Sequence, residues 1–91
     1  MNNTRHYNIT IKGRVQGVYY RASTQKKAIQ LGVKGFVRNN NNGDVYIEAE
    51  ARKAPMELFI SWARIGPPNA HVESLHSEEG TLHDFKEFII C

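Results

Sequence analysis

The sequence predicts an α+β fold, two helices on one face of a mainly antiparallel sheet, and three observations predict it. Two segments, Tyr7 to Lys12 and Asp44 to Ala51, alternate apolar and polar residues with the period of two that a half-buried strand requires. Two other stretches carry helical apolar spacing and are bracketed by turn residues: Gly32 after the first, Pro55 and Gly66-Pro67-Pro68 around the second. Between two strand-like runs stands Asn42-Gly43, a dipeptide that favours the tight turn of a hairpin.

The first strand places Tyr7, Ile9 and Ile11 on one face and Asn8, Thr10 and Lys12 on the other. It leads into a glycine-broken run, Gly13 to Arg21, and a helix over Ala22 to Leu31, with Thr24, Ala28 and Leu31 on one side and Lys26, Lys27 and Gln30 elsewhere. Gly32 stops this helix. Val33 to Arg38 reads as a short strand, paired through the Asn42-Gly43 turn with Asp44 to Ala51. There Val45, Ile47, Ala49 and Ala51 face inward and Asp44, Tyr46, Glu48 and Glu50 face out. A second helix is expected from Pro55 to Ile65, with Leu58, Trp62, Ile65 and Phe59 as its apolar stripe. Ala70 to Ser77 and Asp84 to Ile90 have strand composition and are joined by a Glu78-Glu79-Gly80-Thr81 turn; the consecutive Phe88, Ile89 and Ile90 leave the last register open. The order is βαββαβ with a further C-terminal strand, the ferredoxin-like arrangement. That fold hosts many functions and identifies none of them.

Composition narrows the class. Ninety-one residues suit one domain, 1–91, around a single core, without repeats or linkers. Twelve Lys and Arg against nine Asp and Glu give a net charge of +3, which suits a small anionic ligand better than nucleic acid. No apolar run approaches the ~20 residues of a membrane span, and the polar start Met1-Asn2-Asn3-Thr4-Arg5-His6 lacks a secretory signal's apolar segment, so a cytoplasmic protein with no membrane partner is expected. Cys91 is the one cysteine and forms no internal disulfide; a disulfide between two copies is the alternative to a plain exposed thiol. A monomer is the default, with an edge strand near the C-terminus as the place where a second chain could pair.

The run Gly13-Arg14-Val15-Gln16-Gly17-Val18-Tyr19-Tyr20-Arg21 carries the chemistry. A loop between a strand end and a helix start points backbone N–H groups at one spot, where the positive end of the helix dipole also favours an anion. Arg21 adds a planar fork of donors matched to phosphoryl oxygens. In cysteine phosphatases the nucleophile stands six positions before the loop's arginine; here that position is Val15, so the expected nucleophile is water. Taken singly, Gly13 and Gly17 could just permit a tight turn, and Arg21 could be an ordinary first-turn arginine with an acidic neighbour. Tyr19 and Tyr20 read as packing or pocket-wall residues, Trp62 as core, and Gln16 as a backbone donor whose side chain could also touch a ligand. Asn39 heads the tract Asn39 to Asn42, whose plain explanation is a hairpin loop; its place at a strand end sets Asn39 apart from the other three.

Gly13 to Arg21 matches along its length the signature of the acylphosphatase family, and Gly35-Phe36-Val37-Arg38-Asn39 with Gly43 and Val45 resembles that family's second signature. The similarity extends over nearly the whole chain, with one departure: Ala51 stands where the second signature ends in glycine. The resemblance implies a free-standing hydrolase that splits the carboxyl-phosphate anhydride of small-molecule acyl phosphates and also binds inorganic phosphate or other oxyanions. In that family the arginine binds the phosphoryl group and the asparagine positions the attacking water, which here implies Arg21 and Asn39, with the loop amides of Val15, Gln16, Gly17, Val18, Tyr19 and Tyr20 completing the cradle. A carboxylate leaves without a proton, and neither motif contains a carboxylic acid or a histidine, so an acyl phosphate suits the site better than an alkyl ester.

No cofactor is expected and no metal. The Walker pattern is absent, the motifs offer magnesium no carboxylate, and His6, His71, His76 and His83 are scattered and read as solvated surface side chains. An RNA-recognition module shares the order of elements, but its aromatic motif falls on the wrong strand here, and Glu48 and Glu50 on the third strand would repel a phosphate backbone. A phosphate or carbamoyl-phosphate sensing module that binds without turnover is the other alternative.

Overall fold

The computed structural model describes residues 3–91; Met1 and Asn2, the start of the polar N-terminal stretch, lie outside the described residues. In chain order the elements are β1 (Arg5–Arg14), α1 (Tyr20–Leu31), β2 (Lys34–Asn39), β3 (Val45–Ala51), α2 (Lys53–Ala63), β4 (His71–Gly80) and β5 (Phe88–Ile90). The strands form one sheet in the order β4-β1-β3-β2-β5, antiparallel except where β5 runs parallel to β2. This is the ferredoxin-like order with an added strand at one edge. None of the described helices is long and apolar enough to cross a membrane.

Register follows from the alternation. Ile9 pairs with Ile47 and Ile11 with Val45, while Val37 lies against Ile47 from the other side. These side chains form a row across three strands, and Ala28, Met56, Phe59 and Ala63 from the two helices close over it, all fully or almost fully buried. Gly35 lets β2 approach β3 closely: its φ is +145°, and a Cβ there would overlap the Glu48 carbonyl.

Several boundaries and faces differ from the expected ones. Helix α1 begins at Tyr20, not Ala22, because the Tyr20 side chain is buried and its hydroxyl donates to the Ala63 carbonyl at 2.6 Å, drawing the first turn onto α2. Helix α2 spans Lys53–Ala63, with Pro55 in the first turn, where a missing N–H is harmless. Its buried residues are Met56, Phe59 and Ala63, whereas Leu58 and Ile65 are 59% and 73% exposed. Both sets have helical spacing, and contact with the sheet selects the first. Strand β4 runs through Gly80, so the turn expected at Glu78 begins later, and the last strand is only Phe88–Ile90.

The sheet face away from the helices is not uniformly open. Asp44 and Glu50, expected to face solvent, are buried, and so is His6, which was expected to be a solvated surface histidine. Burial of His6 and Glu50 results from the segment between β4 and β5, which folds over this face: Glu50 accepts the backbone N–H groups of His83 and Phe85 at 2.6 and 3.0 Å, and both rings lie against His6. His71, His76 and His83 are exposed.

The selected face of α2 gives a direct test. Phe59→Ala is expected to destabilise the protein by about 3–5 kcal/mol and Leu58→Ala by less than about 0.5 kcal/mol, read from urea unfolding midpoints.

Candidate active site

The loop from β1 to α1 is shaped by both ends. At Lys12/Gly13 the register of β1 against β4 shifts, and Gly13 lies so close to β4 that a Cβ would overlap the His71 carbonyl and stand 2.8 Å from the Glu73 nitrogen. Gly13 therefore fits the strand's exit rather than the loop's interior. Beyond it, Val15 and Val18 point into the core and pin the loop at two places. Tyr19, immediately before the helix, adopts the left-handed conformation with φ 64° and is 79% exposed. A non-glycine residue there costs roughly 1–2 kcal/mol locally. The buried, hydrogen-bonded Tyr20 that follows holds the turn in place.

That turn opens the N-terminus of α1 to solvent. The first-turn N–H groups of a helix have no partners within the helix, no side chain caps this one, and its first turn holds no acidic residue. Arg21 stands in the same turn, half-buried, with one guanidinium N–H donated to the Cys91 backbone oxygen at 2.9 Å. Asn39 reaches the site from the end of β2, and its amide Oδ1 is buried without a hydrogen-bond partner among the described residues. Val15, Gly17, Tyr19, Tyr20, Arg21, Ala22, Asn39 and Ile90 line one cleft of about 410 Å³.

The structure thus brings Arg21 and Asn39 to a common cleft with much of the loop. Gln16 and Val18 of the expected cradle do not line it. Gln16 instead has a side-chain role that its sequence position did not suggest. Its Nε2 donates to the carbonyls of Asn40 and Asp44 at 2.8 and 2.9 Å, clasping the loop to the hairpin that follows Asn39. That hairpin is closed further by the Asn40 N–H to the Asp44 carbonyl at 2.8 Å and by the Asp44 carboxylate, which accepts from Lys12 Nζ at 2.8 Å and Asn42 Nδ2 at 3.1 Å. The Lys12 hydrogen bond is the largest influence on the Asp44 carboxyl and holds it below the usual carboxylate range; partial desolvation opposes this and the Asn42 amide adds to it. Ile90 and Ala22, absent from the expected set, complete the wall; they lie next to Arg21 in space or in sequence and carry no motif.

Comparison with known proteins follows the same lines. The family profile described as Acylphosphatase matches residues 7–90. A protein named acylphosphatase from Methylococcus capsulatus is 39% identical over 87 residues, covering 94% of this chain and 95% of that one. The solved structure of an acylphosphatase from Coxiella burnetii superposes with a TM-score of 0.94 at 34% identity, covering 98% of this chain and 94% of that chain. Full-length HypF, solved in a phosphate- and nucleotide-bound form, contains a similar part: TM-score 0.90, 30% identity, 97% of this chain but 12% of that one.

Two expectations follow from the clasp. Gln16→Leu removes two side-chain hydrogen bonds from carbonyls that keep their backbone donors, and is expected to lower stability by about 1–3 kcal/mol, measured by urea unfolding. For Asp44, a folded-state carboxyl held below its unfolded value of about 3.9 contributes stability above that pH, which is lost as pH falls through the folded pKa. The stability gap between the parent and Asp44→Asn should therefore be full at neutral pH and close progressively below about pH 4 in unfolding curves taken across that range.

Proposed function

This chain belongs to the acylphosphatase family and is an acylphosphatase, and from that premise we propose how its residues perform the hydrolysis. The substrate is an acyl phosphate. Its phosphoryl group is held by backbone amides of the loop residues that line the cleft, Val15, Gly17, Tyr19 and Tyr20, and by Arg21, while Asn39 orients a water molecule for direct attack on phosphorus. The observation that carries the reading is the buried, unpartnered Oδ1 of Asn39 in the cleft that Arg21 also lines. A buried acceptor without a donor costs about 1–3 kcal/mol, and a bound water that donates to it relieves that cost.

With one O–H donated to Asn39, the water oxygen keeps a lone pair for phosphorus. The new P–O bond forms as the bond to the acyl oxygen breaks, and the carboxylate leaves with the electron pair. The water's proton passes to a phosphoryl oxygen, so no side chain need act as base. The leaving carboxylate needs no acid, in keeping with a described cleft lining that has neither carboxyl nor imidazole. Charge that builds on the phosphoryl oxygens meets the guanidinium and the helix N-terminus. Because these donors are fixed before the substrate arrives, they need no reorganisation during the reaction.

Hydrolysis of benzoyl phosphate in excess EDTA tests the proposal. Arg21→Gln is expected to lower kcat/KM by about 10²–10³-fold, and Asn39→Ala to lower kcat by a similar factor with a smaller change in KM, both with unchanged circular dichroism. An inactive parent that still binds phosphate would favour a sensing module. Undiminished activity in Asn39→Ala would remove its water-positioning role.

A further inference from the structure

At the opposite end of β1 from the cleft, His6, Glu50 and His83 each bring one potential ligand atom to within 4.8 Å of the others. The two places are separated by about eight strand residues, roughly 27 Å at ~3.4 Å per residue. His6 is 1% exposed, and both its ring nitrogens face oxygen acceptors. Nε2 lies 2.8 Å from Asn8 Oδ1 and 3.3 Å from Glu48 Oε1. A carboxylate only accepts, so a hydrogen on Nε2 suits both contacts. Nδ1 lies 2.7 Å from Glu50 Oε2, whose carboxylate is itself fixed by the His83 and Phe85 backbone N–H groups.

With its hydrogen on Nε2, His6 turns the Nδ1 lone pair toward Glu50 Oε2, so that two ligand atoms face one point. Either a hydrogen on Nδ1 donated to Glu50 or a metal ion bound by both atoms fills this place. Two observations favour the metal. The contacts of Nε2 are those that orient a metal-bound imidazole, whose second ring N–H is nearly always donated to a carboxylate or carbonyl oxygen. The third histidine-or-carboxylate donor is also at hand: the His83 ring stacks on Phe85 at 5.4 Å and 12° and sits 4.8 Å from the His6 ring, centroid to centroid. No hydrogen bond engages its nitrogens among the described residues.

We propose that His6 Nδ1, Glu50 Oε2 and a ring nitrogen of His83 bind zinc(II) or a similar borderline divalent transition-metal ion, with water as the fourth ligand. Two imidazoles and one carboxylate suit that class and disfavour magnesium and calcium, which take oxygen donors. Ligand atoms about 3.4 Å apart are needed for four-coordination with bonds of about 2.1 Å, so His6 Nδ1 and Glu50 Oε2, 2.7 Å apart, part by about 0.7 Å while the exposed His83 closes the widest gap by turning. The bound ion would fasten the segment before β5 to β1 and β3.

Thermal unfolding of the EDTA-treated, dialysed protein tests this, with zinc(II) in about tenfold excess and with magnesium as the control. Zinc is expected to raise Tm by at least about 4 °C and magnesium to leave it unchanged. Cobalt(II) should give the visible absorption of a four-coordinate centre. His83→Ala retains the backbone N–H to Glu50, so it is expected to keep the apo Tm and lose both metal responses, while His71→Ala and His76→Ala keep them. A parent without a zinc shift, or a His83→Ala variant that retains it, overturns the proposal; either result would leave a direct hydrogen bond between His6 and Glu50. Hydrolysis assayed in EDTA is a separate readout, so this site and the reaction in the cleft stand or fall independently.

Discussion

The parallel pairing of β5 with β2 is the contact on which the rest of the cleft depends. Arg21 and Asn39 sit on different elements, and neither element alone sets the distance between them. Strand β5 spans the gap: Ile90 pairs with Val37, and the Cys91 N–H then bonds the Val37 carbonyl at 2.9 Å while its own oxygen accepts from Arg21. From the helix side, Gln25 Nε2 donates to the Phe88 carbonyl at 3.0 Å, and the buried Phe88 ring meets Phe59 edge-on. Three residues of strand thus tie α1 to β2. Of the five N–H donors of Arg21, this contact engages one and so sets the direction of the fork.

Much of the polar chemistry rests on apolar neighbours. A loop of backbone amides is useful to an anion only if its conformation is fixed beforehand, since an amide that must swing into place loses ordering entropy when it binds. Val15 and Val18 provide that fixation from inside the loop, and Tyr20 provides it from the helix. Thr24 belongs to the same arrangement. Its hydroxyl turns back to the Tyr20 carbonyl at 2.7 Å, so a polar side chain sits fully buried on the helix face without an unmet bond.

What could be read from the sequence was local in origin. Strand alternation, the Asn42-Gly43 turn and the stops at Gly32 and Gly66 depend on neighbouring residues, and the observed elements follow them within a few positions. Arg21 and Asn39 could be picked out because each stands at an element boundary inside a recognisable motif. The misreadings came from partners remote in sequence. His6 and Glu50, 44 residues apart, both look like outward-facing polar positions until the segment after β4 covers them. Gln16 reaches carbonyls 24 and 28 residues away, which no local pattern encodes. On α2 the ambiguity lay in the sequence itself: of the expected stripe Phe59 is buried and Trp62 packs against the core, whereas Leu58 and Ile65 are exposed and Met56 and Ala63 take their place, a choice only the sheet makes.

The two margins of the sheet differ in a way that bears on how this protein would associate with itself. One margin is β5, three residues long and too short to template another strand. The other is β4, ten residues long and bearing the exposed Glu73 and Glu78, charges that discourage a second copy from docking edge to edge. One edge is guarded by brevity and the other by charge. Two copies that did pair through β4 would present only their β5 margins outward, so edge-to-edge association would close at a pair and could not extend into a longer array.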